Sequence, residues 1–279
     1  MFKKLCLTAA MVAAAATSFA GDLVINGSTT VLPVVQKATE AFAKTNPDVH
    51  IALSGGGSGN GVKALIDGLT NIAMSSRDIK ASEVKLAEQR GVKPYRTAVA
   101  VDAIVPVVNN ANTVKDLTQE QLKAVFEGKI RNWKEVGGED LKIQVINRDE
   151  ASGTREAFRT IVMDGTPFDR RSAVLSGTGQ VRDVVSRSRG AIGYISLGFV
   201  DSLNAKTSVK AASVNHVEAS EKTVASGGYP ISRDLYFFVK GAPSQQAQDY
   251  IDYVTSEKMD KQIREAGFIP VTNDEKGSE

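Results

Sequence analysis

The sequence predicts an α/β fold built as two lobes. Short strand-like runs alternate with amphipathic helix patterns along the chain. At 279 residues it exceeds the roughly 100 to 150 at which single domains cluster. Three times a strand-like run ends in a short Gly/Ser/Thr loop that opens a helix pattern: NGSTT (26–30), SGGGSGNG (54–61) and NRDEASGT (147–154).

The elements follow in order. DLVING reads as a strand, and the next segment as a helix with Val31, Val35, Ala38 and Phe42 on one face, stopped by Asn46 and Pro47. VHIALS is the second strand. After the glycine loop, Val62, Leu65, Ile66 and Leu69 recur at helical spacing. NIAMSS is a third strand, leading through RDIKASEVK into a helix. TAVAVDAIVPVVN is apolar enough for a long buried strand, with Pro106 expected at its end or at a bulge. LTQEQLKAVFEG carries a Thr118–Gln121 capping box. Strand LKIQVI, helix SGTREAFRTIVM and strand GAIGYISL come next. The chain closes with YPISRDLYFFVK, one long helix over 244–267 and a polar tail, NDEKGSE.

Composition excludes several function classes. The opening MFKKLCLTAAMVAAAATSFA has two lysines, an alanine-rich run and small residues at Ser18 and Ala20, the pattern of a secretory leader cleaved after Ala20. The chain has 34 Lys and Arg against 32 Asp and Glu, and the excess equals the leader's Lys3 and Lys4. The remainder is formally neutral, which argues against nucleic-acid or membrane-surface binding. Cys6 is the sole cysteine and leaves with the leader, so disulfides, thiol nucleophiles and cysteine metal sites are not expected. Two histidines, His50 and His216, supply little metal chemistry, and no metal or cofactor is expected.

A helix N-terminus presents unpaired amides and partial positive charge, so it accepts an anion. Glycine lets the backbone approach, and Ser and Thr add hydroxyls. In a doubly wound sheet such loops gather at the carboxyl ends of the strands. Each loop alone also reads as an ordinary N-cap or turn; together, with Arg148 beside the third, they point to an oxyanion site. The loop SGTGQVRDVV (176–185) has the same form but is expected to pack within the second lobe, and Trp133 to anchor a lobe surface. Enzyme signatures are missing: there is no G-x-S-x-G elbow or P-loop, and the glycines at 55–61 fail the G-x-G-x-x-G spacing. A serine hydrolase or phosphatase using Ser58 or Ser152 with a histidine stays as the weaker alternative.

The stretches GSTTVLP, GSGNGVKAL, AMSSRDI, AVDAIVPVVN, NRDEASGTREAF and AIGYISL resemble, in order, the periplasmic phosphate-binding proteins of phosphate ABC transporters. The most specific is Arg-x-x-x-Ser-Gly-Thr at 148–154. The resemblance implies a type II periplasmic binding fold: two α/β lobes joined by two crossover strands, one spanning 21–103 plus 200–279 and the other 104–199. It implies a periplasmic, non-enzymatic monomer that closes on inorganic phosphate and delivers it to a membrane ABC permease. The matching positions are Thr29 and Thr30, Ser58, and Arg148, Ser152, Gly153 and Thr154. Where the main branch has an acidic residue after its third-strand serine, this chain has Ser76, Arg77 and Asp78. Ser76 and Arg77 are therefore expected ligands, and the acceptor of the phosphate proton is left between Asp78 and Asp102. Glu150 is expected to orient Arg148 or to pair with it. Without a carboxylate in the pocket, sulfate, molybdate or tungstate would suit the same donors.

Overall fold

A computed structural model describes residues 23–201 and 208–271; the expected leader and polar tail lie outside the described residues. The first half runs β1 (Leu23–Gly27), α1 (Leu32–Ala43), β2 (Ile51–Gly55), α2 (Ser58–Ile66), β3 (Ile72–Ser75), α3 (Ala81–Gln89), β4 (Pro94–Asn109), β5 (Asp116–Leu117) and α4 (Gln119–Phe126). Next come β6 (Gln144–Arg148), α5 (Gly153–Ile161), β7 (Ala173–Leu175), α6 (Thr178–Arg187), β8 (Ala191–Ser196) and α7 (Gly198–Asp201). The last part is β9 (Val209–Ala211), β10 (Ser213–Val214), α8 (Glu221–Ala225), β11 (Ser232–Lys240), α9 (Gln245–Val254) and α10 (Asp260–Glu265). One sheet has the order β2-β1-β3-β11-β4-β8-β6-β7, with β9 also on β4.

The long apolar run is the spine of the molecule. Residues 94–103 of β4 pair antiparallel with β11, and residues 104–108 pair antiparallel with β8. On one side of this change of partner lie the parallel strands β1, β2 and β3; on the other β6 runs parallel to β7 and β8. Each side has its own core: Val35, Phe42, Phe237 and Tyr250 on the first, with a smaller cluster of Val62, Leu65 and Phe238, and Phe126, Trp133, Phe158 and Tyr194 on the second. The chain crosses between them twice, at β4 and just before β11, where Ile104 N donates to Ile231 O at 2.8 Å. The two-lobed α/β architecture thus matches the expectation, and so does the Thr118–Gln121 capping box.

Four details differ. Pro106 lies inside β4, opposite Tyr194; it brings no N–H to the ladder, while its carbonyl accepts from Ala212 N at 2.9 Å. The segment from Val209 to Ile231, assigned to the first lobe by the boundary at 200, packs its Val209, Val214, Val224, Tyr229 and Ile231 into the second core. The single closing helix is broken at Thr255 and Ser256, whose hydroxyls donate to the Ile251 and Tyr253 carbonyls and compete with helix continuation. Trp133 is no surface anchor: it is 1% exposed, and its indole N–H donates to Gly190 O at 3.0 Å.

Candidate anion-binding site

The amino ends of α2, α5 and α6, with the β1–α1 loop, meet where the two lobes touch. Gly59 N donates to Ala151 O at 2.9 Å from lobe to lobe. This close approach answers for the glycine run. Gly57 has φ +97°, and a Cβ there would meet Ala151 O at 2.7 Å. At Gly153 a Cβ would lie 2.3 Å from Ser58 Oγ and 2.6 Å from Ser76 Oγ. Gly57 and Gly153 are thus lobe-facing positions too crowded for a side chain, whereas Gly61 is crowded by Gly27 and Asn26 of its own lobe.

Around this seam the hydroxyls form one buried cluster. Thr30 Oγ1 is 3.0 Å from Thr154 Oγ1 and 3.3 Å from Thr178 Oγ1, while Thr29 Oγ1 is 3.1 Å from Thr178 Oγ1. Ser58 Oγ accepts from Ser76 N at 3.0 Å and lies 3.3 Å from Ser76 Oγ. Ser152 is the N-cap of α5, its Oγ accepting from Arg155 N at 3.1 Å. The structure therefore brings Thr29, Thr30, Ser58, Ser76, Arg148, Ser152, Gly153 and Thr154 to one place.

Arg148, at the carboxyl end of β6, is 2% exposed. Its guanidinium donates to Thr178 Oγ1 at 3.0 Å, Ser176 O at 2.9 Å, Leu175 O at 3.2 Å and Thr29 Oγ1 at 3.3 Å. All four partners are neutral. Burial pushes this guanidinium below the ordinary arginine range, against the opposing influence of Tyr194 and Asp149, and the charge of Arg233 adds a smaller push downward. A buried cation held by neutral groups is costly unless an anion joins it. Glu150 does not serve: it is exposed and paired with Arg155 at 2.6 Å.

Other expectations separate here. Arg77 is buried, but its fork is engaged by Glu83, at 2.8 and 2.6 Å, and by Asp78 O. Asp78 is an exposed partner of Arg96. Asp102 is buried and already accepts from Ser196 at 2.6 Å and from Arg233 at 2.7 and 3.0 Å. Burial pushes its carboxyl up, against the pull of Arg233 and Ser196; since an arginine keeps its proton, Asp102 is the anion of the pair. Neither carboxylate offers a free oxygen to a ligand. The 176–185 loop is a correction: it does not merely pack, since Thr178 and the Ser176 carbonyl hold Arg148 in place. Its Gly/Ser/Thr form was the available signal. Arg233 was missed, because a lone arginine in a strand pattern gives no hint of what it faces. For the hydrolase alternative, His50 is exposed and His216 pairs with Asp116 at 2.9 Å, so neither stands beside Ser58 or Ser152.

A family model described as a PBP superfamily domain matches residues 12–258. The phosphate-binding protein PstS of Bacillus subtilis is 36% identical over 91% of this chain and 82% of its own. Among solved structures, a substrate-binding protein of a phosphate ABC transporter from Clostridium perfringens, with bound phosphate, superposes with a TM-score of 0.82 at 35% identity, covering 90% of this chain and all of that one. An ABC-type phosphate transport receptor from Vibrio cholerae gives a TM-score of 0.72 at 30% identity, covering 89% of this chain and 99% of the other.

Proposed function

The chain belongs to the PstS phosphate-binding proteins of the PBP superfamily, and from that premise we propose that it captures inorganic phosphate between its lobes and delivers it to a membrane ABC permease. The observation that carries this is Arg148, a buried guanidinium without a carboxylate partner, beside the amino ends of α5 and α6. A helix terminus contributes about 0.3 to 1 kcal/mol to an anion, ~2 where partly buried. Micromolar binding needs about 8 kcal/mol net. Charge-assisted hydrogen bonds, about 1.5 to 3 kcal/mol each, supply the difference, and a planar fork matches phosphate oxygens.

In this reading Thr29, Thr30, Ser58, Ser76, Ser152, Thr154 and Thr178 donate hydroxyls and Gly153 gives the backbone room to approach. Arg77 braces the third-strand loop through Glu83. The lobes divide at the two crossings, giving 21–103 with 232–271 and 104–231. We read the protein as a periplasmic monomer that binds rather than catalyses, in line with its relatives, which are named phosphate-binding proteins. A second reading rests on one observation: Asp78 is at the surface and Asp102 is saturated, so neither repels a fully deprotonated anion. Sulfate or molybdate then competes for the same donors.

Calorimetric titration of residues 21–279 with phosphate, sulfate and molybdate tests both. Saturable phosphate binding with the other two weaker supports the proposal. Heat from molybdate or sulfate but none from phosphate overturns it in favour of the second reading.

A further inference from the structure

We propose that Arg233, anchored by Asp102, is a second cation of the anion site, a positioning residue that fixes the Thr154 hydroxyl as a donor to the ligand and ties the two lobes at their crossing strands. This rests on the phosphate reading and adds to it a residue that the Ser-Gly-Thr motifs do not contain.

Arg233 on β11 and Asp102 on β4 are direct partners in the strand register, one position from Ser232 and Ala103, where the ladder ends at the crossing. Their side chains are 5% and 0% exposed. Nε and Nη2 of Arg233 grip one carboxylate oxygen at 3.0 and 2.7 Å, while Ser196 of β8 holds the other at 2.6 Å. With its base clamped in this way, the guanidinium has donors left over. Nη1 reaches Ser76 O of the first lobe at 3.0 Å, and Nη2 reaches Thr154 Oγ1 of the second at 3.1 Å.

The consequence follows from proton counting. A guanidinium has five N–H donors and no acceptor, so Thr154 Oγ1 must accept from it. The single proton of that hydroxyl then points elsewhere, to Thr30 Oγ1 at 3.0 Å or to a ligand oxygen taking its place. Arg148 imposes the same direction on Thr178 and Thr29, whose oxygens accept from Nη1 and Nη2. Two arginines, one from each side of the seam, thereby turn the threonine cluster into a set of aimed donors. Asp102, paired with Arg233 at 2.7 Å and fully buried, offsets a charge that would otherwise repel Arg148 across the seam. Neutralising Arg233 leaves Arg148 as the net charge for the ligand.

The test is a double-mutant cycle on phosphate affinity by calorimetry, using Arg233→Met, Thr154→Val and the double variant, with Arg148→Met as a control for the site. Arg233→Met and Thr154→Val are each expected to weaken phosphate binding about 10- to 100-fold, and the double variant to bind about as well as the weaker single one. An Arg233→Met protein with wild-type affinity overturns the proposal. So do single effects that multiply in the double variant, since they mean Arg233 does not act through Thr154. Should Arg233→Met fail to fold, Arg233→Lys keeps the charge on Asp102 but lacks the fork needed to reach Ser76 O and Thr154 together. It is expected to bind about 10-fold more weakly, and unchanged affinity refutes the role. Wild-type protein that binds no phosphate, or Arg148→Met that binds normally, indicts the phosphate reading instead.

Discussion

Arg148→Met removes a buried cation whose worth differs in sign between the free and the ligand-bound protein. Arg148 is 2% exposed, and its guanidinium meets only hydroxyls and carbonyls of the protein. Methionine fills much of the same volume without the cost of burying a charge, so the ligand-free unfolding midpoint should hold or rise, as when buried charges are exchanged for apolar groups. The bound protein loses a bidentate contact. Two charge-assisted hydrogen bonds at about 1.5 to 3 kcal/mol each sum to ~3 to 6 kcal/mol, a fall in affinity of about 10² to 10⁴ at ~1.4 kcal/mol per tenfold. Titration calorimetry with inorganic phosphate and thermal unfolding with and without it read both quantities. The distinctive result is a stable protein that phosphate no longer stabilises. Phosphate affinity within threefold of wild type would falsify the assignment of Arg148, and a large drop in the ligand-free midpoint would show it to be a structural brace.

Two further perturbations probe closure. Gly153→Ala places a methyl group 2.3 Å from Ser58 Oγ, 2.6 Å from Ser76 Oγ and 3.0 Å from Ser58 Cβ, so the serine hydroxyls must turn out of place or the lobes must separate. The ligand-free midpoint should change little while phosphate affinity falls about 10- to 100-fold, with a larger radius of gyration by small-angle scattering in phosphate; normal affinity would mean that the lobes need not meet there. Glu156 of α5 reaches Lys80, beside α3, at 2.9 Å across the cleft, and Arg159 within its own helix at 2.9 Å. Burial pushes its carboxyl up, but the hydrogen bonds and charges of Arg159 and Lys80 prevail and hold it at about 2, down from 4.5. A depressed carboxyl favours the paired state above pH 4.5, and the contribution fades as pH falls through about 2. Glu156→Gln should release phosphate about 2- to 5-fold faster at pH 7 and flatten the acid dependence between pH 5 and 3; an identical stopped-flow profile in both proteins removes the bridge from the closure mechanism.

The sequence by itself determined the α/β architecture and pointed to most of the residues that the candidate anion site brings together. Hydrophobic periodicity and cap chemistry are local properties, so the strand runs and helices could be read directly, down to the Thr118–Gln121 box. The three strand-to-helix loops also announce themselves, because glycine and hydroxyl residues at a helix start are a local signature of exposed amides. What a loop faces is not local. SGTGQVRDVV has the same form as the others, and only the packing of α6 against β6 and β8 shows that Thr178 supports Arg148. The pairing of Arg233 with Asp102 joins positions 131 residues apart through the register of two crossing strands. Arg77 and Glu150, by contrast, take near neighbours in the chain, Glu83 and Arg155, and only side-chain geometry chose those partners over a ligand or Arg148. An ionisable side chain takes its function from the charge that burial places beside it, and for Asp102 that neighbour comes from a distant part of the chain.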